Sequence, residues 1–357
     1  MLALGVGGGR VMLVDEATGE VRWDVQAHTR HCSNVAMSPS GRFVAGVGEE
    51  ENWMLWDAAS GAEWMAGAKH DGTSACICQV DEHGHRVVQA GCPVVAHTAG
   101  LRALAFSPCG QRFATGDNDG VVILWDAQTG RAERRMQAGP EMVWSLSFTA
   151  DGARLASGSG DGSIHILDAT TGALLRTWEE EGTVTWMQFS PVNNSIVATV
   201  SLDEITVWDV DSGETLKTCM GCDFLVLSPD GRTIATARVS EDAHDLLLVD
   251  AETGTARLTL VGHHAPISAA CFSVDDGSKL ASASEEGTCK VWDSSTGALL
   301  RTINVGIYII AVSWGRDWVR DTQRGAAFAM GHHPQLGEGS RVLALDAGVV
   351  RMILDRV

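Results

Sequence analysis

Between residues 101 and 136, apolar and polar positions alternate with a period of two in short runs divided by turn residues. LRALAFSP reads as a first strand, CGQ turns the chain, and RFATG reads as a second. DNDG leads into VVILWD, and AQTG leads into RAERRM, whose alternation and mixed polarity suit an outer edge. The same four-strand grammar, here called a to d, recurs along the chain. Each third strand ends in an apolar residue and Asp, at Asp15, Asp57, Asp126, Asp168, Asp209, Asp250 and Asp293. The intervals are 42, 69, 42, 41, 41 and 43 residues, so five of six share one period. A unit of 40–45 residues holding four short strands is the size of a propeller blade. The turn that follows has a mechanical basis: Asp caps its own backbone, Ser or Thr does so more weakly, and Gly takes the positive φ that closes the hairpin. No helical apolar period of any length competes, and the chain reads as all-β.

Strand ends such as VVILWD, ITVWD and CKVWD, with the turns SPSGR and SPDGR, resemble the WD-repeat family of β-propellers over nearly the whole chain. The resemblance implies one domain over 1–357, built of about eight four-stranded blades, with seven to nine open. Two breaks complicate the count. Residues 74–100 supply two strands but lack a third and its WD, which predicts a blade lacking a strand. Residues 2–26 supply strands b to d without strand a, an incomplete N-terminal blade. Closure by 308–314 (YIIAVSW) against the N-terminal strands is one solution, leaving 325–357 as a last blade or extra hairpin. The other counts 308–354 as its own blade.

Blades of this family hold a buried chain of His, Ser/Thr, Asp and Trp. By the resemblance those roles fall on His97, Thr115, Asp119 and Trp125, and on His264, Ser282, Glu286 and Trp292, with Glu in place of Asp. The same spacing meets His28, Gly46, Glu50 and Trp56, and then Ser157 and Asp161 with Gly139 and Leu167 at the ends. These are the residue types of a nucleophilic triad, but repetition argues for structure, because an active site is not built once per blade. Gly5, Gly7 and Gly9 precede no helix, so they do not read as a phosphate loop. The chain holds no GxSxG, HExxH or Walker A sequence.

The 357 residues include 40 Gly, 12 Trp and one Tyr, and carry a net charge of −19. Such a surface repels phosphate backbones and anionic headgroups, which argues against nucleic acid and membrane as partners. Nine irregularly spaced Cys do not form a secreted disulfide framework, and no apolar run of 18 residues exists, so cytosol or nucleus is expected. Cys219 and Cys222 form a lone CxxC, and Cys76, Cys78, His83, His85 and Cys92 cluster, but neither has the spacing of a closed zinc shell. No metal or other cofactor is expected, and a small-molecule substrate is not favoured.

The d–a and b–c connections should emerge on one face. They carry Glu49, Glu51, Glu141, Glu179, Glu180, Glu241 and Asp242 among sixteen acids, against mainly Arg30 and Lys69. Arg42, Arg112, Arg154, Arg232 and Lys279 fall on the opposite a–b turns. Arg102 and Trp144 sit early in strand a near the channel mouth, as interface anchors or, for Trp144, as packing between blades. The expected function is a non-enzymatic protein–protein scaffold whose acidic face takes basic segments. The alternatives are an enzyme or metal site in the channel, and a reader of a basic histone-like tail, which needs an aromatic cage.

Overall fold

The computed structural model describes residues 1–315 apart from 50–51, 71–73, 81–85, 89–96, 203, 221–223 and 238–243, with backbone alone at 68–70, 74–80, 86–88 and 219–220. It contains seven antiparallel sheets. Those spanning 101–137, 143–179, 184–220, 226–260 and 267–304 each hold four strands in chain order. The first sheet is assembled from both ends of the described chain. Leu2–Val6, Arg10–Val14 and Val21–Gln26 supply strands b, c and d, and Ile309–Trp314 returns as strand a beside Leu2–Val6.

Among the described residues seven blades therefore stand in place of the expected eight. Ser74–Val80 and Arg86–Val88 do not begin a new blade. They continue outward from Glu63–His70, giving the second sheet six strands. A hairpin added to an outer edge needs no strand c and no WD, which is why the period is interrupted there. The expected extra strands beyond 315 lie outside the described residues.

Apolar packing closes the ring. Each of seven buried clusters joins two neighbouring sheets. Trp53, Phe113 and Trp125 lock the second to the third, and Leu4, Val14, Cys289 and Ile303 lock the seventh to the first. In the third blade strand c is buried from Val121 to Trp125 because it is covered on both sides. Strand d forms the rim, so Leu174–Thr177 are exposed.

The c–d turn works as its sequence implies. Asp126 Oδ1 accepts from Gln128 N at 3.0 Å and Thr129 N at 2.7 Å, while Gly130 takes φ 67°. Asp168, Asp209, Asp250 and Asp293 repeat the arrangement. The fourth residue after that glycine links blades, by reaching a carbonyl in the next blade's c–d turn. Trp23 donates to Ala58 O at 2.9 Å, Arg134 to Thr170 O at 3.2 Å, Arg176 to Ser212 O at 3.1 Å, Lys217 to Glu252 O at 3.3 Å and Arg301 to Thr18 O at 2.9 Å.

Candidate functional site

The b–c turns and the d–a loops share one face, tied by backbone bonds such as Asn118 N to Gly100 O at 3.0 Å and Gly160 N to Met142 O at 2.9 Å. Beneath that face all seven inner strands line a cavity of about 690 Å³. Its shape at the mouth comes from a recurring irregularity. In six inner strands the second residue is an extra one in the register: Ser33, Arg102, Trp144, Thr185, Ser268 and Ile310. A bulge of this kind bends the strand and re-aims its side chain.

Two of these side chains are spent on nearby carbonyls. Ser268 Oγ donates to Ile309 O, and Thr185 Oγ1 to Val200 O at 3.3 Å. Arg102 and Trp144 are different. The Arg102 guanidinium carbon lies 5.4 Å from the centre of the Trp144 ring, a cation–π geometry. Its Nε donates to Asn118 Oδ1 at 3.2 Å, and Nη1 stands 3.9 Å from Glu49 Oε1. Trp144 is half-buried and lines the cavity, and its contact with Arg102 bridges the third and fourth blades.

Around the mouth, Asp119, Glu141, Asp161, Glu179, Glu181 and Glu285 are exposed. Glu51, Glu241 and Asp242 lie outside the described residues, as do Glu50, Cys222 and the side chains of Cys76, Cys78, His83, His85, Cys92 and Cys219. Among the described residues no cluster of three or more His, Cys, Asp and Glu could hold a metal. On the opposite face four of the five expected cations are engaged. Arg112 pairs with Glu133 and Arg154 with Asp211, both at 2.8 Å, and Lys279 lies 3.7 Å from Glu16. Arg42 lies over Phe43 and Trp64. The c–d carboxylates also belong to that face, so charge asymmetry rests on which acids lack counter-ions rather than on a basic underside.

The buried networks form with two differences from the expected spacing, one of two positions and one of a single position. In the third blade His97 Nε2 meets Thr115 Oγ1 at 2.7 Å, and Trp125 Nε1 donates to the same oxygen at 2.7 Å. The acid is Asp117, 2.6 Å from His97 Nδ1, not Asp119. Asp117 ends strand b and is fully buried, while its other oxygen accepts from the amides of Asp119 and Val121. Asp119 stands outside, accepting from Thr98. In the seventh blade the imidazole is His263, not His264. It touches Ser282 and Glu286 at 2.7 Å each, Trp292 Nε1 donates to Ser282 at 2.9 Å, and His264 offers only its backbone amide to Glu286. Burial raises the Glu286 carboxyl, but donation from Thr288, His263 and that amide outweighs it and leaves the pKa at about 2. Burial holds His263 below the usual imidazole range despite its Glu286 partner.

The fifth blade departs furthest. Glu180, expected as a partner contact, turns inward and takes the position that His263 holds. It accepts from Thr199 Oγ1 and from Trp208 Nε1 at 2.6 Å. Burial raises its pKa above the normal carboxyl value, the Thr199 and Trp208 bonds oppose this, and Glu204 adds to the rise. Sequence spacing could have found it, since Glu180 precedes Thr199 by the same nineteen positions that separate His263 from Ser282. In the fourth blade Gly139 replaces the histidine. A Cβ there would lie 3.3 Å from His165 Cε1, so the strand-c imidazole fills that space. Ser157 Oγ and His165 Nδ1 are left buried without a hydrogen-bond partner. In the second blade His28 Nδ1 lies 3.1 Å from Asn52 Oδ1, and a Cβ on Gly46 would approach the Trp56 ring to 3.0 Å.

Comparison with known proteins agrees with this architecture. Residues 91–126 and 254–293 match the family model described as "WD domain, G-beta repeat", and residues 133–192 match the "Anaphase-promoting complex subunit 4 WD40 domain". The chain is 30% identical to the nuclear distribution protein PAC1 of Coccidioides posadasii over 39% of its length and 30% of that protein. It is 26% identical to a periodic tryptophan protein 2 homolog of Dictyostelium discoideum, over 55% of this chain and 17% of that one. It is 30% identical to the COMPASS component SWD3 of Saccharomyces cerevisiae, over 34% and 38%. The matches thus span well under half of each relative. The fold and its repeated turns define a β-propeller, and the matched stretches identify WD repeats within it. Propellers of this family generally act as scaffolds for protein interaction.

Proposed function

We propose that this propeller is a non-enzymatic binding platform of the cytosol or nucleus, whose channel-mouth face receives a basic segment of a partner protein. The observation that carries the reading is the state of the acids there. Among the described residues Glu141, Glu179, Glu181 and Glu285 have no ion-pair partner, whereas most of the underside cations do. Unneutralised carboxylates around a concave mouth raise the local concentration of cations and steer their approach. The cavity offers Glu49 and Arg102 already facing one another, an arrangement that favours recognition over acid–base chemistry. The tail-reader alternative is less well supported, since the Trp144 face is occupied by Arg102.

The test is fluorescence anisotropy with a labelled Lys/Arg-rich peptide, against the triple variant Glu141→Lys, Glu179→Lys, Glu181→Lys. Binding to the wild-type protein should fall steeply between about 0.05 and 0.3 M salt. The variant should lose affinity by roughly tenfold or more at the lower salt. Equal affinity of the two proteins would overturn the reading.

A further inference from the structure

The channel mouth contains one feature that an acidic rim does not explain, which is a cation placed inside it. Arg102 is fixed by three neighbours. Asn118 holds Nε, the Trp144 ring supports the guanidinium plane, and Glu49 faces Nη1. The last contact, at 3.9 Å, is far longer than the 2.7–2.9 Å of a charge-assisted hydrogen bond. Both side chains stay about one third exposed, at 31% and 32%. The pair is therefore oriented but unsaturated, and it borders a cavity of about 690 Å³, ample for peptide side chains.

From this geometry we infer that the mouth reads an extended basic peptide carrying one carboxylate side chain, with that carboxylate seated on Arg102 and a neighbouring Lys or Arg of the peptide taking Glu49. Binding then exchanges one loose internal ion pair for two intermolecular ones. Charge complementarity sets the rest of the ligand. A single guanidinium offsets a single negative charge, and any further negative charge meets Glu141, Glu179 and Glu181. The flanking residues must therefore be basic. A fixed fork of donors against an aromatic face also favours a planar carboxylate. The inference rests on the basic-segment reading above and adds Arg102 as its specificity residue, with Trp144 as the positioning residue.

Three Lys/Arg-rich peptides that differ only at a central Asp, Asn or Lys separate the two readings by anisotropy. The wild-type protein should prefer Asp over Asn by about tenfold. Arg102→Gln should abolish that preference, so that the Asp and Asn peptides bind alike. Arg102→Glu should invert the order so that the Lys peptide binds best, an outcome that mere loosening of the fold cannot produce. Trp144→Ala, which leaves the charge in place, should reduce the Asp preference without reversing it. Equal wild-type binding of the Asp and Asn peptides overturns the Arg102 role and leaves the basic-segment reading standing. No binding of any of the three at low salt overturns both.

Discussion

Thr115 and Ser157 occupy the same position in consecutive blades, and removing their hydroxyls should have opposite consequences. Thr115 Oγ1 joins His97 Nε2 and Trp125 Nε1, each at 2.7 Å, and the three residues are at most 2% exposed. Thr115→Val keeps the volume, so no cavity term arises, but it strands two buried polar groups. Each orphaned group costs about 1–3 kcal/mol, placing the loss at about 3–4 kcal/mol. Ser157 is as buried, at 1%, yet its hydroxyl has no partner. Ser157→Ala should lie within about 0.5 kcal/mol of neutral or be stabilising, because an unsatisfied hydroxyl disappears. Urea unfolding monitored by tryptophan fluorescence measures both variants, and Trp125→Phe on the Thr115→Val background should recover part of the loss. Similar destabilisation by the two single variants would refute the assignment of the hydrogen-bond chain to the third blade and of its absence to the fourth.

Glu180→Gln should stabilise the protein near neutral pH. A carboxyl whose folded pKa is raised contributes its full stability below the normal value of 4.5 and loses it as pH climbs through the folded value, so the gap should close under acid conditions. Glu286→Gln should behave in the opposite sense: the carboxyl pKa of about 2 makes its contribution complete above 4.5 and lost as pH falls toward 2, so the variant should be weaker at neutral pH and match the parent in acid. Unfolding midpoints across pH distinguish the two profiles. Gly120→Ala should cost more than about 1 kcal/mol, since its φ is +74° and a Cβ would lie 2.2 Å from the Gly139 carbonyl oxygen.

The sheet grammar was legible because it is local. The Asp and Gly of each c–d turn act within five residues, so their spacing survives in the sequence without reference to anything distant. Strand a of the first blade could be proposed from 308–314 because residues 2–26 read as strands b to d and leave that place open. The blade number was not legible, since strands that extend an outer edge and strands that begin a new blade alternate alike, and only pairing with Glu63–His70 separates them. The networks were misplaced by small steps for a related reason. His263 and His264 are adjacent in sequence, and loop conformation decides which one enters the blade. Asp117 overtakes Asp119 because the end of strand b is dry and the turn beyond it is wet. Glu180 was hidden by its charge, which reads as a surface residue until Thr199 and Trp208 are seen to donate to it.

The return of Ile309–Trp314 to Leu2–Val6 has a consequence for biosynthesis. During synthesis Leu2–Val6 is translated well before Ile309–Trp314, so this sheet cannot be completed until the six other blades have been made. Until then Leu2–Val6, every residue of which ends up buried, presents an apolar edge with unpaired backbone groups. Such an edge is a template for neighbouring nascent chains. Yield in a recombinant host should therefore depend on slow translation or on a chaperone that covers this strand, even though the finished ring leaves no such edge there.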